Sequence, residues 1–318
     1  MDRIIEHLTN SRKVLVASHA NPDGDAIGAL IALGLALDSA GKDVTLYNES
    51  PIPAVYRFLG GVSRVVNRLD AECDYPTAIV LDCGSLERLG MEADRIERLP
   101  VVINIDHHMT NTRFGTYQCI DTAASATSQI VYHLIRKLGV AIDKDMATAL
   151  YTGILTDTGS FRFSNTGRDA FAICEALIAC GADPYNVAQN VYGKYSLGRI
   201  KLLNLALDSI EITAGGKLSL MALTNDMFKE TGTHPEDVDG MINYARRIED
   251  VRVAVLIREQ LNGAKKAYHV SLRSDGSVDV AAIAAVYGGG GHLTAAGFNV
   301  ESTLAELKEE IVRRVEGK

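Results

Sequence analysis

Three short apolar stretches of this chain end abruptly on the same kinds of residue. Val14–Ala17 runs into Ser18-His19-Ala20-Asn21-Pro22-Asp23-Gly24-Asp25, Ala78–Leu81 stops on Asp82, and Val101–Ile105 stops on Asp106-His107-His108. Brief apolar, β-rich runs separated by helical patterns read as the buried strands of a parallel sheet. The strands of such a sheet all end along one edge, and open α/β sheets bind their ligands in the crevice outside that edge. The fold class expected is therefore α/β, with an N-terminal parallel sheet carrying helices on both faces, a helical linker and a smaller C-terminal α/β domain.

A chain of 318 residues exceeds the usual size of a single core, so two domains are expected. In the first, Val44–Tyr47 adds a strand, and helices are expected at Ala26–Ala40, Ala126–Leu138, Lys144–Leu155 and Arg168–Ala179, with Gly41 and Gly181 as stops. A mostly helical stretch from about Tyr185 to Leu207 follows. Beyond it, strands are expected at Lys217–Leu223, Val251–Glu259, Ala267–Leu272 and Gly297–Val300, with helices near Pro235–Arg246, Val278–Val286 and Thr303–Val315. The corresponding boundaries are 1–187 for the first domain, 188–208 for the linker and 209–318 for the second domain.

Charge limits the partners. A net charge of −8 opposes binding to long nucleic acid, which draws on many Lys and Arg contacts to phosphates. It does not oppose a small phosphorylated substrate held by a cation or a few local positive groups. Five cysteines without C-x-x-C spacing point to ordinary thiols in a reducing compartment. The N-terminal MDRIIEHLTNSRK has no signal-peptide pattern, and no apolar run is long enough to span a bilayer. A cytoplasmic protein without membrane partners is expected.

The polar strand ends carry the chemistry. Pro22 and Gly24 predict a tight turn from which Asp23 and Asp25 project. A fourth segment, Gly153 to Gly159, puts Asp157 at the end of a helix. Taken together, His19, Asp23, Asp25, Asp82, His107 and Asp157 bring four carboxylates and two imidazoles to one crevice. Carboxylates so grouped repel one another unless protons or cations intervene, and two divalent cations would neutralise four negative charges. Carboxylate and imidazole ligands without thiolate suit Mn²⁺ or Mg²⁺, with Zn²⁺, Co²⁺ or Fe²⁺ as further options, and Mn²⁺ is the ion expected, with Mg²⁺ and Co²⁺ as its alternatives. Asp82, alone at a central strand end, is the natural bridge, and two such ions suit hydrolysis of a phosphate ester. In the second domain, Gly288, Gly289, Gly290 and Gly291 precede His292, and Arg273-Ser274 ends a strand. Both segments offer donors to a phosphate.

These residues resemble a known family. The motifs SHANPDGDAIG at 18–28, LDCG at 81–84, DHH at 106–108 and GILTDTGSF at 153–161 are similar to those of the DHH phosphoesterase superfamily, and SLRS at 271–274 and GGGGHLTAAG at 288–297 to its associated C-terminal domain. Within the superfamily, DHHMTNTRFG at 106–115 and the compact two-domain length look most like the bifunctional nanoRNases. The resemblance implies one metal at His19, Asp23 and Asp82 and a second at Asp25, Asp82, His107 and Asp157. It also implies a catalytic set of His108, Asp82 and Asp106, with His108 touching the scissile phosphate. Arg273, Ser274, Gly288–Gly291 and His292 would hold the nucleotide across an interdomain cleft. The substrates implied are short oligoribonucleotides and the 3′-phosphate of 3′-phosphoadenosine 5′-phosphate (pAp).

The alternative within the superfamily is a phosphodiesterase for cyclic or linear dinucleotides, which would use the same metals. A processive RecJ-like exonuclease would need strand-binding domains absent here, and a pyrophosphatase of the related family would carry a basic signature in place of the glycine run. A non-enzymatic nucleotide-sensing module predicts lost ligands, and none is missing. A homodimer is left open by the sequence.

Overall fold

The structure, a computed structural model, describes residues 1–70, 72–193, 195–260 and 266–316. The chain forms two compact units, Met1–Lys194 and Tyr195–Lys318. The fold is mixed α/β, with a parallel sheet in the first unit and a smaller mixed-sheet domain in the second.

In the first unit, β1 (Lys13–Ser18), β2 (Asp43–Tyr47), β3 (Val65–Val66), β4 (Thr77–Leu81), β5 (Val101–Asp106) and β6 (Tyr117–Ile120) lie in the order β3-β2-β1-β4-β5-β6. Every pair is parallel. The direction of winding reverses between β1 and β4, the position where open sheets leave a crevice at their carboxyl edge. Residues along the central strands alternate between two cores. Val14, Val16, Ile79, Leu81, Ile103 and Ile105 face one, and Leu15, Ala17, Ala78, Val80 and Val102 face the other. Burial on both faces explains why these strands read as continuous apolar runs.

Three helices cover the first face: α1 (Gly24–Ser39), α2 (Thr127–Lys137) and α3 (Lys144–Asp157). Helix α1 is buried along almost its whole length because it is sandwiched between the sheet and α3. Gly28 permits that approach. A Cβ there would overlap the Ala149 carbonyl oxygen and stand 3.1 Å from the Gly153 nitrogen. Two further helices, α4 (Arg168–Ala179) and α5 (Pro184–Tyr192), add to the same core through Ile173, Leu177, Val187 and Val191. The other face is closed by a short helix at Ala93–Glu97 and by 3₁₀ turns bearing Leu86 and Leu89.

The second unit contains β7 (Glu211–Thr213), β8 (Leu218–Leu223), β9 (Val253–Glu259), β10 (Ala267–Ser274), β11 (Gly290–His292) and β12 (Ala295–Glu301), ordered β11-β12-β10-β9-β8-β7. Only β8 and β9 run parallel. One face packs Val253, Val255, Ile257, Val270 and Leu272 under Val280–Ala285 and Leu304–Val315. The other packs Met221, Leu223, Ala254 and Leu256 under α6 (Leu197–Asp208), Asn225–Thr231 and α7 (Ile242–Arg246). Helix α6, within the stretch expected to link the domains, contributes Leu202 and Ala206 to this core.

The eight expected strands fall within two residues of their expected positions, whereas β3, β6, β7 and β11 have no counterpart among the expectations. The helix expected across Pro235–Arg246 is instead a 3₁₀ turn at Pro235–Val238 followed by α7, because Gly240 adopts φ +78° between them. The glycine run also differs from an open loop, since Gly290–His292 form an edge strand paired with Ala295–Gly297. A Cβ at Gly289 or Gly291 would overlap the Gly297 or Ala295 carbonyl oxygen respectively, so the neighbouring strand alone demands glycine at both positions.

The close approach of α1 and α3 gives a direct test. Gly28→Ala is expected to lower folding stability by about 1–3 kcal/mol through overpacking, read as a reduced urea midpoint with an unchanged denaturant slope.

Candidate metal centre

Three adjacent strands, β1, β4 and β5, deliver His19, Asp82 and the His107-His108 pair to the carboxyl edge of the sheet. His19 is 4% exposed, and the loop carrying it is tied down by Asn48, whose Nδ2 donates to Ser18 Oγ and to the His19 carbonyl, both at 2.8 Å. The Ala20 carbonyl lies 2.9 Å from His19 Nδ1, which fixes the proton there and leaves Nε2 directed at Asp82 Oδ2, 3.6 Å away. His107 repeats the pattern. Its Nδ1 is 3.3 Å from the Ala124 carbonyl, while Nε2 lies 3.7 Å from Asp82 Oδ1 and 3.6 Å from Asp157 Oδ2. An imidazole with one nitrogen on a backbone carbonyl and the other facing carboxylates is oriented as metal-ligating histidines are.

Asp82 is the common neighbour. It is 2% exposed, accepts a hydrogen bond from Thr127 Oγ1 at 3.0 Å, and adopts φ +54°, a left-handed backbone that costs a non-glycine residue about 1–2 kcal/mol. His108 Nδ1 also lies 3.6 Å from Asp82 Oδ1. Separations of 3.6–3.7 Å are long for hydrogen bonds and suit groups arranged around a shared centre.

Asp23 and Asp25 do not project from a loop. Gly24 already begins α1, so Asp23 is its N-cap, with Oδ1 accepting from the Asp25 and Ala26 amides at 3.0 Å. Asp25, in the first turn, is 1% exposed and accepts from the amides of Thr127 (2.5 Å) and Ser128 (2.8 Å) at the start of α2. Asp157 is the last residue of α3, and Asn165 Nδ2 donates to its carbonyl at 3.1 Å. Ligand atoms of His19, Asp23 and Asp82 lie within 4.8 Å of one another, as do those of Asp25, Asp82 and His107, and those of Asp82, Asp106 and His108. Asp157 approaches the second of these triads through His107.

Behind the cluster, Asp106 is fully buried. One of its oxygens meets His108 Nδ1 at 2.7 Å and the other accepts from Asn111 Nδ2 at 2.6 Å. Asn111 is braced in turn by Asn104 Oδ1 at 2.9 Å.

The charges respond to this crowding. Burial pushes Asp82 up, but His19, His108 and His107 outweigh it and hold the carboxyl well below its usual range. Burial, with the neighbouring Asp82 charge, pushes Asp25 up to about 7. Asp157 is raised well above a normal carboxyl by burial and by the Asp25, Asp23 and Asp82 charges, against the opposing pull of His107. Burial disfavours a charged His107, yet Asp157, Asp82 and Asp25 raise it to about 9. Carboxylates driven toward protonation beside an imidazole driven toward protonation mark a site short of positive charge. Divalent cations held by these oxygens and nitrogens would supply it.

Two supporting residues, Asn48 and Thr127, carry no sequence signal of their own and are ordinary polar residues until the fold brings them to the site. Asn111 and Gly153 fall inside the motifs, and packing shows what they do: a Cβ at Gly153 would overlap the Ser128 hydroxyl and stand 2.8 Å from Asp25 Oδ1.

In the second unit, Arg273 is half-buried on β10, with Nη1 donating to the Leu272 carbonyl at 2.9 Å. Ser274 is 2% exposed, and its Oγ accepts from the Gly276 amide at 2.9 Å, so its hydroxyl also supports a turn. His292 ends β11 and is half-buried.

Residues 13–154 match the DHH family, N-terminal domain, and residues 218–318 match the DHHA1 domain. The bifunctional oligoribonuclease and PAP phosphatase NrnA of Thermus thermophilus is 33% identical, over 94% of this chain and 90% of its own length. The protein of the same name from Bacillus subtilis is 24% identical, over 91% of this chain and 90% of its own. An exopolyphosphatase-related protein from Bacteroides fragilis, known from its crystal structure, aligns with a TM-score of 0.90 at 27% identity, covering 98% of this chain and 95% of that one.

Gly153→Ala is expected to displace Asp25 and weaken divalent-cation binding by about tenfold or more. Calorimetric titration of metal-stripped protein with Mn²⁺ reads the loss, and circular dichroism checks that the fold is kept.

Proposed function

Because the chain belongs to the DHH family and is a phosphoester hydrolase, we propose that it hydrolyses very short oligoribonucleotides and removes the 3′-phosphate of pAp, using two divalent cations, Mn²⁺ foremost. The observation that carries this reading is the sharing of Asp82 by two ligand triads, His19/Asp23/Asp82 and Asp25/Asp82/His107. The Asp82 carboxylate offers an oxygen to each triad, and two cations held by these residues would suit displacement at phosphorus. The relatives named as oligoribonucleases and PAP phosphatases support the substrate class. No helix among the described residues is long and apolar enough to cross a membrane, which agrees with our placing the enzyme in the cytoplasm.

His19, Asp23 and Asp82 would hold one ion, and Asp25, Asp82, His107 and Asp157 the other. When bound, such ions lower the pKa of water and offset charge on the phosphate. The chain's own residues orient and exchange protons. Asp106, fixed by Asn111, holds His108 through Nδ1 and sets the orientation of its ring. Nε2 of His108 is the atom we assign to the scissile phosphate, where it can donate to a phosphoryl oxygen or protonate the leaving oxygen. Arg273, Ser274, Gly288–Gly291 and His292 are proposed to hold the nucleotide, with Arg273 as a planar, bidentate phosphate donor.

The test offers metal-stripped protein, re-supplied with Mn²⁺, Mg²⁺ or Co²⁺, a panel of pAp, di- to pentaribonucleotides, cyclic dinucleotides and pyrophosphate. Release of nucleoside monophosphate from the short oligomers and of phosphate from pAp is expected, with Asp82→Ala reduced to background. His108→Ala should lower kcat by about 10²–10⁴-fold while still binding metal. Turnover confined to cyclic dinucleotides or pyrophosphate, or no turnover with any ion, overturns the reading.

A further inference from the structure

One cation stands beside the metal centre without a partner in the fold. Arg88 belongs to the 3₁₀ turn Leu86–Leu89 that follows β4, and Leu86 and Leu89 anchor that turn in the core. The turn is also tied to the loop after β1, because the Ala20 amide donates to the Arg88 carbonyl at 2.7 Å. Its backbone is thus fixed between the ends of β1 and β4, the two strands where the winding of the sheet reverses. Open sheets bind their ligands at that point.

The side chain has no such tether. Arg88 is exposed, and among the described residues no hydrogen bond or ion pair engages its guanidinium. Its charge nevertheless reaches into the site. Burial and the Arg88 charge both act against a protonated His19, which Asp82 and Asp23 favour. Burial pushes the Cys83 thiol up to about 12, and the Arg88 charge is the largest pull in the other direction. Two buried groups, one after β1 and one after β4, thus lie within reach of a single guanidinium, which places it at the edge of the crevice on the β1 side of Asp82. His108 approaches Asp82 from β5, the neighbour of β4 on the opposite side. A guanidinium that served only to neutralise the carboxylates would form an ion pair with one of them, and Arg88 forms none. A free positive charge there opposes any cation held by His19, Asp23 and Asp82. It becomes favourable once an anion lies between, and a guanidinium offers a phosphate two parallel N–H donors.

We propose that Arg88 binds a non-bridging oxygen of the substrate phosphate from the β1 side of Asp82, opposite His108. This rests on the reading of the chain as a short-nucleotide hydrolase. It adds to that reading a second side chain on the phosphate, so that the group is gripped from two flanks by residues that are not themselves metal ligands. Both belong to the first unit, which then holds the reacting phosphate with its own side chains.

The experiment uses the full chain and two equilibrium titrations. One follows AMP, the nucleotide left by cleavage of pAp or of short oligoadenylates, in saturating Mn²⁺; the other follows Mn²⁺ alone on metal-stripped protein. Arg88→Met, which keeps the apolar stem, is expected to weaken AMP binding about tenfold or more, while Mn²⁺ binds at least as tightly as in wild type and the melting temperature is unchanged. The opposite directions separate a phosphate contact from a structural role, because damage to the site weakens both ligands. Should Arg88→Met melt lower, Arg88→Gln, which keeps a polar side chain at the surface, repeats the comparison. AMP binding that survives the substitution, AMP and Mn²⁺ affinities that fall together, or a wild type that binds no AMP overturns the proposal. The outcome is separable from turnover. A protein whose AMP binding depends on Arg88 yet hydrolyses nothing with any ion loses the proposed function and keeps the phosphate contact, whereas one that hydrolyses pAp and binds AMP equally well without Arg88 does the reverse.

Discussion

Mutual repulsion among the carboxylates at the edge of one sheet is the constraint around which the first unit is arranged. Five of them, Asp23, Asp25, Asp82, Asp106 and Asp157, lie beside only three imidazoles. The protein answers with fixed dipoles as well as charges. Asp23 takes the opening amides of α1 and Asp25 those of α2, so two helix N-termini stabilise negative charge without lending a mobile counterion. His108 and Asn111 hydrogen-bond Asp106 from behind. What the dipoles and imidazoles leave uncompensated is concentrated on Asp25 and Asp157, whose carboxyls are both pushed up.

The rest of the unit follows from keeping those groups in place. Strands β1, β4 and β5 are buried on both faces, which makes their ends rigid supports rather than mobile tips. Helix α1 must approach α3 closely enough for Asp25 and Asp157 to serve one site, and Gly28 and Gly153 set that spacing. Asp82 accepts a left-handed backbone because its amide is held by the Ile105 carbonyl at 3.0 Å and its side chain by Thr127. Local strain is tolerated where surrounding bonds over-determine the geometry.

How far the sequence discloses this depends on range. Alternation between apolar runs and abrupt Asp or His ends is a local signal, and it places the sheet, the strand ends and the clustered ligand types within a residue or two. The partners are not local. Thr127 meets Asp25 across 102 positions, and Asn48 reaches Ser18 across 30, so nothing near either residue announces its role. The turn around Pro22 and Gly24 is legible, but whether Asp25 stands in a loop or a helix depends on Asp23 serving as a cap, which competes on nearly equal terms in sequence. The glycine run invites a ligand reading, yet at Gly289 and Gly291 the adjacent strand already excludes a side chain.

Asp25 has one duty visible in the fold and a second that we propose, and they pull on its geometry in different ways. As a ligand it needs only an oxygen of negative character in reach of a cation, which a longer carboxylate could also offer. As the group that seats both amides of Thr127 and Ser128, it needs its short side chain at that one depth between α1 and α2. Glutamate would therefore preserve the chemistry and lose the joint. An exchange of one carboxylate for the other at this position is felt first at the start of α2. Helix packing and the proposed metal chemistry rest on the same side chain.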